Sequence, residues 1–402
     1  MTYQEVIDII NNAHRFGKAC GRDVTMELLE ALGHPEEGME VIHIAGTNGK
    51  GSVAAFVSSI LQAAFSVDSS IHIGTFTSPH LIDFTERIMV DGVQIPQEDA
   101  RRIGQQLLDM KLTLEPTMFD YCLAMALIYF KERQVRYLVL ETGLGGSKDS
   151  TRGLATTPQV CAITSIGLEH TAILGDTLEA IAGEKAGIIR SGAHTVIGQM
   201  DKSAETVIVD TCKMLGCTYS IPEPLDVTQP LGLFGSYQRY NGALAAEICR
   251  HLSVNIPEDI IAKGLAEAVW PGRMQILSKE PFVMVDGAHN PSGVKALFDS
   301  LSQAFLDEKF TFIMAVMADK DYLEMAHIIG PLAARFYTCS LEYDRALQSE
   351  KLALDLNEAG FEAYACKDYK EALQKALDQQ EKIIVFGSLY FIGEVLKDYK
   401  ND

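Results

Sequence analysis

The segment HIAGTNGKGSVAAF, His43 to Phe56, lies between an apolar run typical of a strand and a run with helical spacing. The strand candidate spans residues 41–46. The apolar residues after the segment's glycines recur at helical spacing, namely Val53, Phe56, Val57, Ile60 and Leu61. A glycine-rich turn between a strand and a helix directs backbone N–H groups and the helix dipole at a phosphate. The segment therefore predicts a phosphate-binding loop in an α/β sheet.

This loop differs from the common phosphate-binding pattern. That pattern has four residues between its first glycine and the Gly-Lys-[Ser/Thr] ending, whereas Thr47 and Asn48 alone separate Gly46 from Gly49. A lysine and a serine still follow, where they can reach the outer phosphates and Mg²⁺. The alternative is an ordinary glycine-rich turn. The predicted nucleotide-binding residues of the loop are Gly46, Thr47, Asn48, Gly49, Lys50, Gly51 and Ser52.

Strand-like apolar runs alternate with helical patterns along the chain, which is typical of parallel sheets covered on both faces. The first series of strand candidates is 41–46, 70–78, 136–143, 160–167 and 193–198. The second series is 282–288, 310–316, 335–341, 362–366 and 382–388. The Pro-Gly pair in WPGR, residues 270–273, separates them. We predict an α/β protein with an N-terminal domain of the P-loop type (1–271), whose sheet is mostly parallel, and a smaller C-terminal Rossmann-like domain (272–402).

Composition limits the classes of partner. The 402 residues carry 34 Lys+Arg and 54 Asp+Glu, a formal net charge of −20, which argues against binding to nucleic acid or an anionic membrane. The longest apolar run, 121–130, is far shorter than the roughly 20 residues of a membrane span. The N-terminus lacks a secretory signal pattern, and the eight scattered cysteines are predicted to be reduced thiols. We expect a cytoplasmic monomer that binds small molecules.

Three side chains in the first half are candidates for chemistry. Glu141 ends an apolar strand beside the predicted loop, where a Mg²⁺ ligand is expected, although a solvated carboxylate is the alternative. His170 follows another strand end, and such a histidine taken alone is more often structural. Lys185 continues the spacing of Leu178, Ile181 and Ala182, which predicts an inward-facing lysine with a lowered pKa. A lysine that snorkels to the surface is the alternative.

Three further candidates belong to the second half. Asp286 and His289 follow the first strand of the second series, where sites form in α/β sheets. Arg273 lies at the predicted domain joint, from which it is expected to reach across a cleft to phosphate. The structural alternatives are a helix-capping neighbour for His289 and a linker salt bridge for Arg273.

The string GTNGKGS resembles the ATP loop of the Mur ligase superfamily, and in particular of the folylpolyglutamate synthase/dihydrofolate synthase family. Other motifs similar to those of this family follow in order: TSPHL (77–81), ERI (86–88), ETGLGG (141–146), SIGLEHTAILGDTLEAIAGEKAGI (165–188), YQRYN (237–241), WPGRMQ (270–275), DGAHNP (286–291), DKD (319–321) and GSLYFIGEV (387–395). The resemblance covers nearly the whole chain. It implies an ATP-binding domain followed by a glutamate ligase domain.

The resemblance also implies site residues and cofactors. The cofactors are ATP and two Mg²⁺ ions, and the implied metal ligands are Ser52, Ser78, Glu141 and His170. A carbamylated lysine is implied at Lys185. The implied catalytic residues are Lys50, His170, Lys185, Arg273 and His289. Beyond the loop, the implied nucleotide contacts are Gln238, Asn241, Arg273, Asp286 and His289. The predicted substrate contacts are His80, Arg87, Asp120, Arg152 and Lys320.

Three residues depart from the family pattern. Tyr237 replaces a common histidine and keeps a planar ring with a hydrogen-bonding tip. Asp120 stands where a glutamate is usual, and Arg152 where an asparagine is more frequent. Asp120 and Arg152 lie near the predicted substrate side, so these two departures put the substrate preference in question.

The activity implied by the resemblance is ATP-dependent amide formation between L-glutamate and a folate or dihydropteroate carboxylate, through an acyl phosphate. One alternative is a related ligase with a different carboxylate acceptor, including the cell-wall branch of the superfamily. Members of that branch usually carry an additional N-terminal domain, for which a loop that begins at residue 46 leaves no room. The other alternative is a nucleotide-binding regulator that has lost catalysis.

Overall fold

The computed structural model of the protein describes residues 1–13, 21–343 and 345–399. The chain divides into two compact units. The first consists of Met1–Gly232 and Arg239–Val269, and the second of Leu233–Gln238 and Trp270–Asp402. Each unit contains one sheet with helices, which confirms the predicted class of a two-domain α/β protein.

The sheet of the first unit has eight strands among the described residues, in the order β4-β3-β2-β5-β1-β6-β7-β8. All neighbours are parallel except β2/β3 and β3/β4. The chain leaves β1 toward β2 on one side and later builds β6 to β8 on the other, so a ligand crevice is expected at the carboxyl end of β1. The strands are β1 (Glu40–Ala45), β2 (His72–Phe76), β3 (Ile88–Val90), β4 (Val93–Gln94), β5 (Val135–Glu141), β6 (Val160–Ile163), β7 (His194–Ile197) and β8 (Tyr219–Ser220).

Helices cover this sheet. The helix after the glycine-rich loop buries all five apolar residues that its spacing predicted, each at 0% exposure, because it packs on the sheet and on the helix Glu258–Glu267. The helices are α1 (Tyr3–Asn12), α2 (Gly21–Leu32), α3 (Lys50–Ala64), α4 (Gln97–Leu108), α5 (Met118–Glu132), α6 (Thr171–Leu174), α7 (Leu178–Ala186), α8 (Lys202–Leu215), α9 (Gln238–Arg250) and α10 (Glu258–Glu267). Short 3₁₀ helices lie at Phe84–Arg87 and Ser150–Gly153.

The second unit is built on a sheet of order β13-β12-β11-β14-β10-β9, which is parallel except for the β9/β10 pair. Its strands are β9 (Gln275–Lys279), β10 (Phe282–Val285), β11 (Phe310–Met314), β12 (Ala333–Thr338), β13 (Ala363–Ala365) and β14 (Lys382–Phe386). Its helices are α11 (Pro291–Ala304), α12 (Tyr322–Ile329), α13 (Ser349–Glu358), α14 (Tyr369–Asp378) and α15 (Leu389–Tyr399), with a 3₁₀ turn at Gly330–Leu332.

All ten predicted strands are present, with shifted ends. The sequence did not predict β3, β4, β8 or β9. Each of these strands is either very short or only partly buried, so it lacks the continuous apolar run that marks a strand covered on both faces. β4, β8 and β9 lie at the edges of the two sheets.

Two predictions from composition concern the whole chain. Seven cysteines are described, and all seven are free thiols, of which six are buried. Cys20 lies outside the described residues. In the part of the chain that the structure describes, no helix combines the length and apolarity that crossing a membrane requires.

Candidate active site

The glycine-rich loop links β1 to α3 and requires glycine at position 49. Gly49 has φ 90°, and a Cβ there would lie 2.6 Å from Asn241 Oδ1. Any larger residue would therefore meet both backbone strain and a clash. Asn241 belongs to α9, so the fold brings a predicted nucleotide contact that is distant in sequence against the loop.

The segment after β6 holds the loop in shape. The N–H of Thr47 donates to Ser165 O at 2.7 Å. Thr47 Oγ1 donates to Gly167 O at 3.2 Å and accepts from the Gly167 N–H at 3.0 Å. Thr164 Oγ1 donates to Asn48 O at 2.6 Å. The conformation of the loop thus depends on the strand end that leads to His170.

Two lysines converge on one carbonyl of the loop. Lys50 Nζ donates to Gly46 O at 3.1 Å and to Thr47 O at 3.2 Å, and Lys185 Nζ donates to Gly46 O at 2.9 Å. Lys50 Nζ also lies 3.9 Å from Glu141 Oε1. Two amines at one oxygen make a local positive centre in a strongly acidic chain, which is the feature that an anionic ligand requires.

Lys185 faces inward, as its spacing predicted, with 4% of its surface exposed. Burial and, to a smaller extent, the positive charge of Lys50 lower the pKa of its amine to about 7, although Glu169 and Asp149 oppose the shift. About half of the amine is therefore neutral at pH 7, the form that acts as a nucleophile.

A polar cavity of about 40 Å³ connects these groups with His170. Gly46, Lys50, Glu169, His170 and Lys185 all contribute to its wall. Glu169 was not predicted from the sequence, although its position next to His170 in the LEH string was an available signal. Because an acid, a histidine and two lysines share one small space, this cavity is the centre of the candidate site.

The predicted metal ligands lie on the same edge of the sheet. The N–H of Ser78 donates to Glu141 Oε2 at 3.2 Å, and Glu141 and Ser52 are buried, with 3% and 1% exposure. His170 adopts a left-handed conformation (φ 51°, ψ 38°), which costs a residue other than glycine about 1–3 kcal/mol. Such strain is common at functional sites. The fold therefore gathers the predicted ligands around Lys50 and the cavity.

A chain of hydrogen bonds from a buried histidine supports the cavity wall. Thr151 Oγ1 donates to Asp149 Oδ1, so it accepts the 2.8 Å hydrogen bond from His43 Nε2. Asp149 Oδ2 in turn accepts the N–H of Leu144 at 2.7 Å, in the loop that lines the cavity. The sequence analysis did not predict this series of hydrogen bonds, because the residues that form it are polar residues in otherwise apolar or glycine-rich segments.

His43→Gln should make the stability of the protein less dependent on pH. Burial lowers the pKa of His43 to about 3, whereas an unfolded histidine titrates near pH 6.5. Between these values only the unfolded state gains the proton, so wild type should lose about 1.4 kcal/mol of unfolding free energy from this residue between about pH 7.5 and pH 5.5. Urea unfolding at both pH values measures the effect. Equal pH dependence in both proteins would contradict it.

Two residues of the ERI motif hold the TSPHL loop and the turn that follows it. Glu86 accepts the backbone N–H groups of Leu81, Ile82 and Asp83 at 2.7, 3.1 and 3.1 Å. Arg87 Nε donates to His80 Nδ1 at 2.9 Å, and burial together with Arg87 lowers the pKa of His80 to about 4. The His80 ring is therefore a neutral acceptor. The contacts of His80 and Arg87 with substrate stay predictions.

Asp120 and Arg152, the two departures from the family pattern, contact protein groups. Asp120 is 1% exposed and caps α5, since its Oδ2 accepts the N–H and Oγ1–H of Thr117, both at 2.7 Å. Its Oδ1 accepts hydrogen bonds from the hydroxyls of Thr25 and Ser150. Arg152 Nε donates to the carbonyl of residue 187 at 2.8 Å, just after α7. Their roles toward substrate stay predictions.

Asp120→Asn should destabilise the first unit by about 2 kcal/mol, because an amide nitrogen cannot accept the hydrogen bonds of a buried carboxylate oxygen. Urea unfolding at neutral pH measures the change. Asp109→Asn, at an exposed aspartate that ends α4, is the matched control and should remain near wild type. An Asp120→Asn protein as stable as this control would contradict the capping role.

In the second unit, the end of β10 forms a compact polar group. Asp286 is 4% exposed, and its carboxylate accepts the N–H groups of Met274 and Ala288, both at 2.8 Å. Tyr237 Oη donates to Asp286 Oδ2 at 3.5 Å. Burial raises the pKa of Asp286, although Arg273 opposes the shift. Asp286 thus orders the segment between β10 and α11.

The structure also places the remaining predicted residues of this unit. His289 Nδ1 bonds to Gly287 O at 2.8 Å, and a Cβ on Gly287 would lie 2.1 Å from Arg273 Nη1, so this guanidinium covers the turn. Lys320 is half-buried in the loop after β11. Gln238 is fully buried at the start of α9. The nucleotide and substrate contacts of these residues stay predictions.

Comparisons with known proteins match the whole length of the chain. Residues 44–221 match the Mur ligase middle domain, and residues 272–389 match the glutamate ligase domain of Mur ligases. The dihydrofolate synthase/folylpolyglutamate synthase of Bacillus subtilis is 32% identical over 99% of this chain and 99% of its own. The chain belongs to the folylpolyglutamate synthase/dihydrofolate synthase family. The predicted resemblance is therefore confirmed.

Solved structures of this family share the fold. Escherichia coli FolC in complex with DHPP and ADP is 26% identical, with a TM-score of 0.89 over 100% of this chain and 98% of its own. The bifunctional folylpolyglutamate synthase/dihydrofolate synthase of Yersinia pestis, complexed with AMPPNP and Mn ion, is also 26% identical, with a TM-score of 0.86, and the match covers 100% of this chain and 98% of that chain. The first of these proteins thus binds ADP, and the second binds AMPPNP together with Mn ion.

Proposed function

We propose that this chain is an ATP-dependent ligase that joins L-glutamate to the carboxylate of a dihydropteroate or a folate. The observation that carries the proposal is the pair of lysine amines at Gly46 O, beside Glu141 and the cavity of His170, in a chain of this family. The charge of Lys50 beside Glu141, at the carboxyl ends of β1 and β5, suits a nucleotide triphosphate and its metal.

Phosphoryl transfer comes first. The acceptor carboxylate attacks the γ-phosphorus of ATP, a new O–P bond forms, and ADP leaves with the electrons of the broken bond. The loop N–H groups and Lys50 hold the phosphates and stabilise the charge that develops on them. This step is needed because a carboxylate and an amine do not condense spontaneously in water.

Amide formation follows. The neutral amine of L-glutamate attacks the carbonyl carbon of the acyl phosphate, the C–O bond to phosphate breaks, and the amine loses a proton. The products are inorganic phosphate and a new amide. Arg273, Asp286 and His289 are proposed contacts of the nucleotide, and residues 272–402 are proposed to act as the glutamate ligase domain, with residues 1–271 as the ATP-binding domain.

The donor groups around Lys50 fit Mg²⁺. A buried carboxylate from Glu141 and buried hydroxyl oxygen from Ser52 are hard oxygen ligands of the kind that this ion prefers. We propose that these two residues hold Mg²⁺ together with Ser78 and His170, at two ion positions. When bound, Mg²⁺ neutralises phosphate charge.

Lys185 is proposed to carry a carbamate. Its amine attacks CO₂, a C–N bond forms, and the amine loses a proton to give an anion. Its burial and the lowered pKa of its amine support this proposal, because neutral amines react with CO₂ and protonated ones do not. The resulting anion would supply a further oxygen ligand for a metal.

The test is an assay of phosphate release with ATP, Mg²⁺ and L-glutamate, run side by side with dihydropteroate and with a reduced folate. Glutamate-dependent release with either acceptor, and a product heavier by one glutamate, supports the proposal. The two acceptors also distinguish addition of the first glutamate from addition of later ones. Nucleotide binding without turnover of either acceptor would reject it and favour the nucleotide-binding regulator.

A further inference from the structure

A second group of metal-binding side chains lies outside the candidate active site. His194 belongs to β7, Glu247 to the last turn of α9, and His251 directly follows that helix. Their ligand atoms all lie within 4.8 Å of one another, and in the described part of the chain no other group of three or more His, Cys, Asp or Glu side chains meets this spacing. His251 Nε2 is 3.1 Å from Glu247 Oε1. The two imidazole rings stack, with centroids 3.5 Å apart.

Hydroxyl groups fix the orientation of the His194 ring. His194 Nδ1 bonds to Thr218 Oγ1 at 2.8 Å, and His194 Nε2 bonds to Ser220 Oγ at 3.0 Å. A histidine that binds a metal uses one nitrogen and hydrogen-bonds through the other. Thr218 therefore suits the second role, which makes Nε2 the candidate ligand atom, and a metal ion would replace its hydrogen bond with Ser220 Oγ.

The surrounding charges permit a cation. Arg250 Nη1 lies 3.3 Å from Glu247 Oε2, but Nε and Nη2 of Arg250 each bind Glu258 at 2.8 Å. Glu247 Oε1 thus remains on the side of the two histidines. The cluster also lies at the carboxyl end of α9, where the helix dipole favours positive charge.

The cluster is separate from the ATP loop. His194 is the first residue of β7, whereas the loop follows the carboxyl end of β1, and the strands β1, β6 and β7 are parallel. The two sites therefore lie at opposite ends of the parallel strands of one sheet, about 13 Å apart along the strand direction. An ion at His194 would not contact the predicted phosphate site.

We propose that His194, Glu247 and His251 form a binding site for a divalent transition-metal ion of the zinc type. Two imidazoles and one carboxylate are the ligand set of many such sites, with a water completing the tetrahedron. Ligand atoms around one tetrahedral zinc lie about 3.3 Å apart, so the half-exposed His251 ring must turn out of its stack. The bound ion would join the β7–β8 edge of the sheet to the end of α9 and stabilise the first unit.

Cobalt titration of the full-length, chelator-treated protein tests the proposal. Co²⁺ bound by imidazole and carboxylate absorbs visible light, and excess Mg²⁺ keeps the predicted ligase metal sites occupied. Wild type should bind one Co²⁺ ion at the cluster and show its visible absorption. The substitutions His251→Ala and Glu247→Gln should each weaken this binding by about tenfold or more. Zn²⁺ should raise the melting temperature of wild type but not of His251→Ala.

The matched control is His72→Ala, which removes a surface histidine that pairs with Asp91 at 2.7 Å. This variant should bind Co²⁺ like wild type. His251 lies on the surface, so its replacement should leave the fold intact, and circular dichroism checks this. If the His251→Ala protein misfolds, Glu247→Gln carries the comparison. Wild type without a cobalt spectrum, or a spectrum that both variants retain at full affinity, would overturn the proposal.

Discussion

Lys50→Met is expected to lower kcat for glutamate ligation by about 100- to 1000-fold, the usual loss when a preorganised group that stabilises transition-state charge is removed. Lys50 Nζ donates to Gly46 O and Thr47 O of the loop and lies 3.9 Å from Glu141 Oε1. Methionine has a similar length but no charge. The γ-phosphate would therefore lose the charge of this lysine at the moment when negative charge is redistributed.

Steady-state kinetics with saturating ATP and glutamate measure this loss. Lys202→Met is the matched control, because Lys202 lies at the start of α8 with its side chain 82% exposed and should retain wild-type kcat. Melting curves of both variants check that the loss of kcat does not come from unfolding. A Lys50→Met enzyme that keeps most of its kcat would show that the loop does not bind the reacting phosphate.

Lys185→Ala is expected to lower kcat by about 100-fold through the loss of the proposed carbamate. The same variant opens space beside Gly46 O, which a short carboxylate can enter in place of the carbamate. Formate or acetate should therefore restore part of the activity of Lys185→Ala. Lys185→Met is the matched control, because its side chain fills the space and should prevent rescue. Absence of rescue in both variants, with full activity of wild type in CO₂-free buffer, would contradict the carbamate.

The pH dependence of carbamate formation follows from the lowered pKa of Lys185, about 7. Above this pH the amine is neutral and reacts with CO₂, whereas below it the proton blocks the attack. Reactivation of CO₂-depleted enzyme by CO₂ should therefore be roughly ten times slower at about pH 6 than well above pH 7. A lysine with an ordinary pKa would instead show reactivation that rises steadily up to about pH 10.

Sequence reasoning succeeded where a pattern is local. The spacing of Leu178, Ile181 and Ala182 predicted that Lys185 faces inward, and it does. The helix after the loop was predicted with its buried face, because periodicity of 3.6 directly reports which side of a helix packs on the sheet. The continuous apolar runs likewise predicted the central parallel strands.

The same reasoning failed for contacts between segments. The position of Glu169 in the cavity wall was not predicted. The hydrogen bonds from His43 through Thr151 to Asp149 join residues that no periodicity relates. The short antiparallel strands β3 and β9 were missed because a partly exposed strand needs no continuous apolar run. The four hydrogen-bond donors that the protein presents to Asp120 were not predicted either, while its contact with substrate stays a prediction.

By itself, the sequence determined the α/β class, the position of the glycine-rich loop between a strand and a helix, and the family to which the chain belongs. Those properties follow from residue order over short segments, where backbone geometry converts spacing into structure. The tertiary structure alone decided that Lys50 and Lys185 share the carbonyl of Gly46 and that burial lowers the pKa of Lys185. Both depend on how separate segments pack, because the pKa of an amine is set by the solvent and charges that surround it in the folded chain.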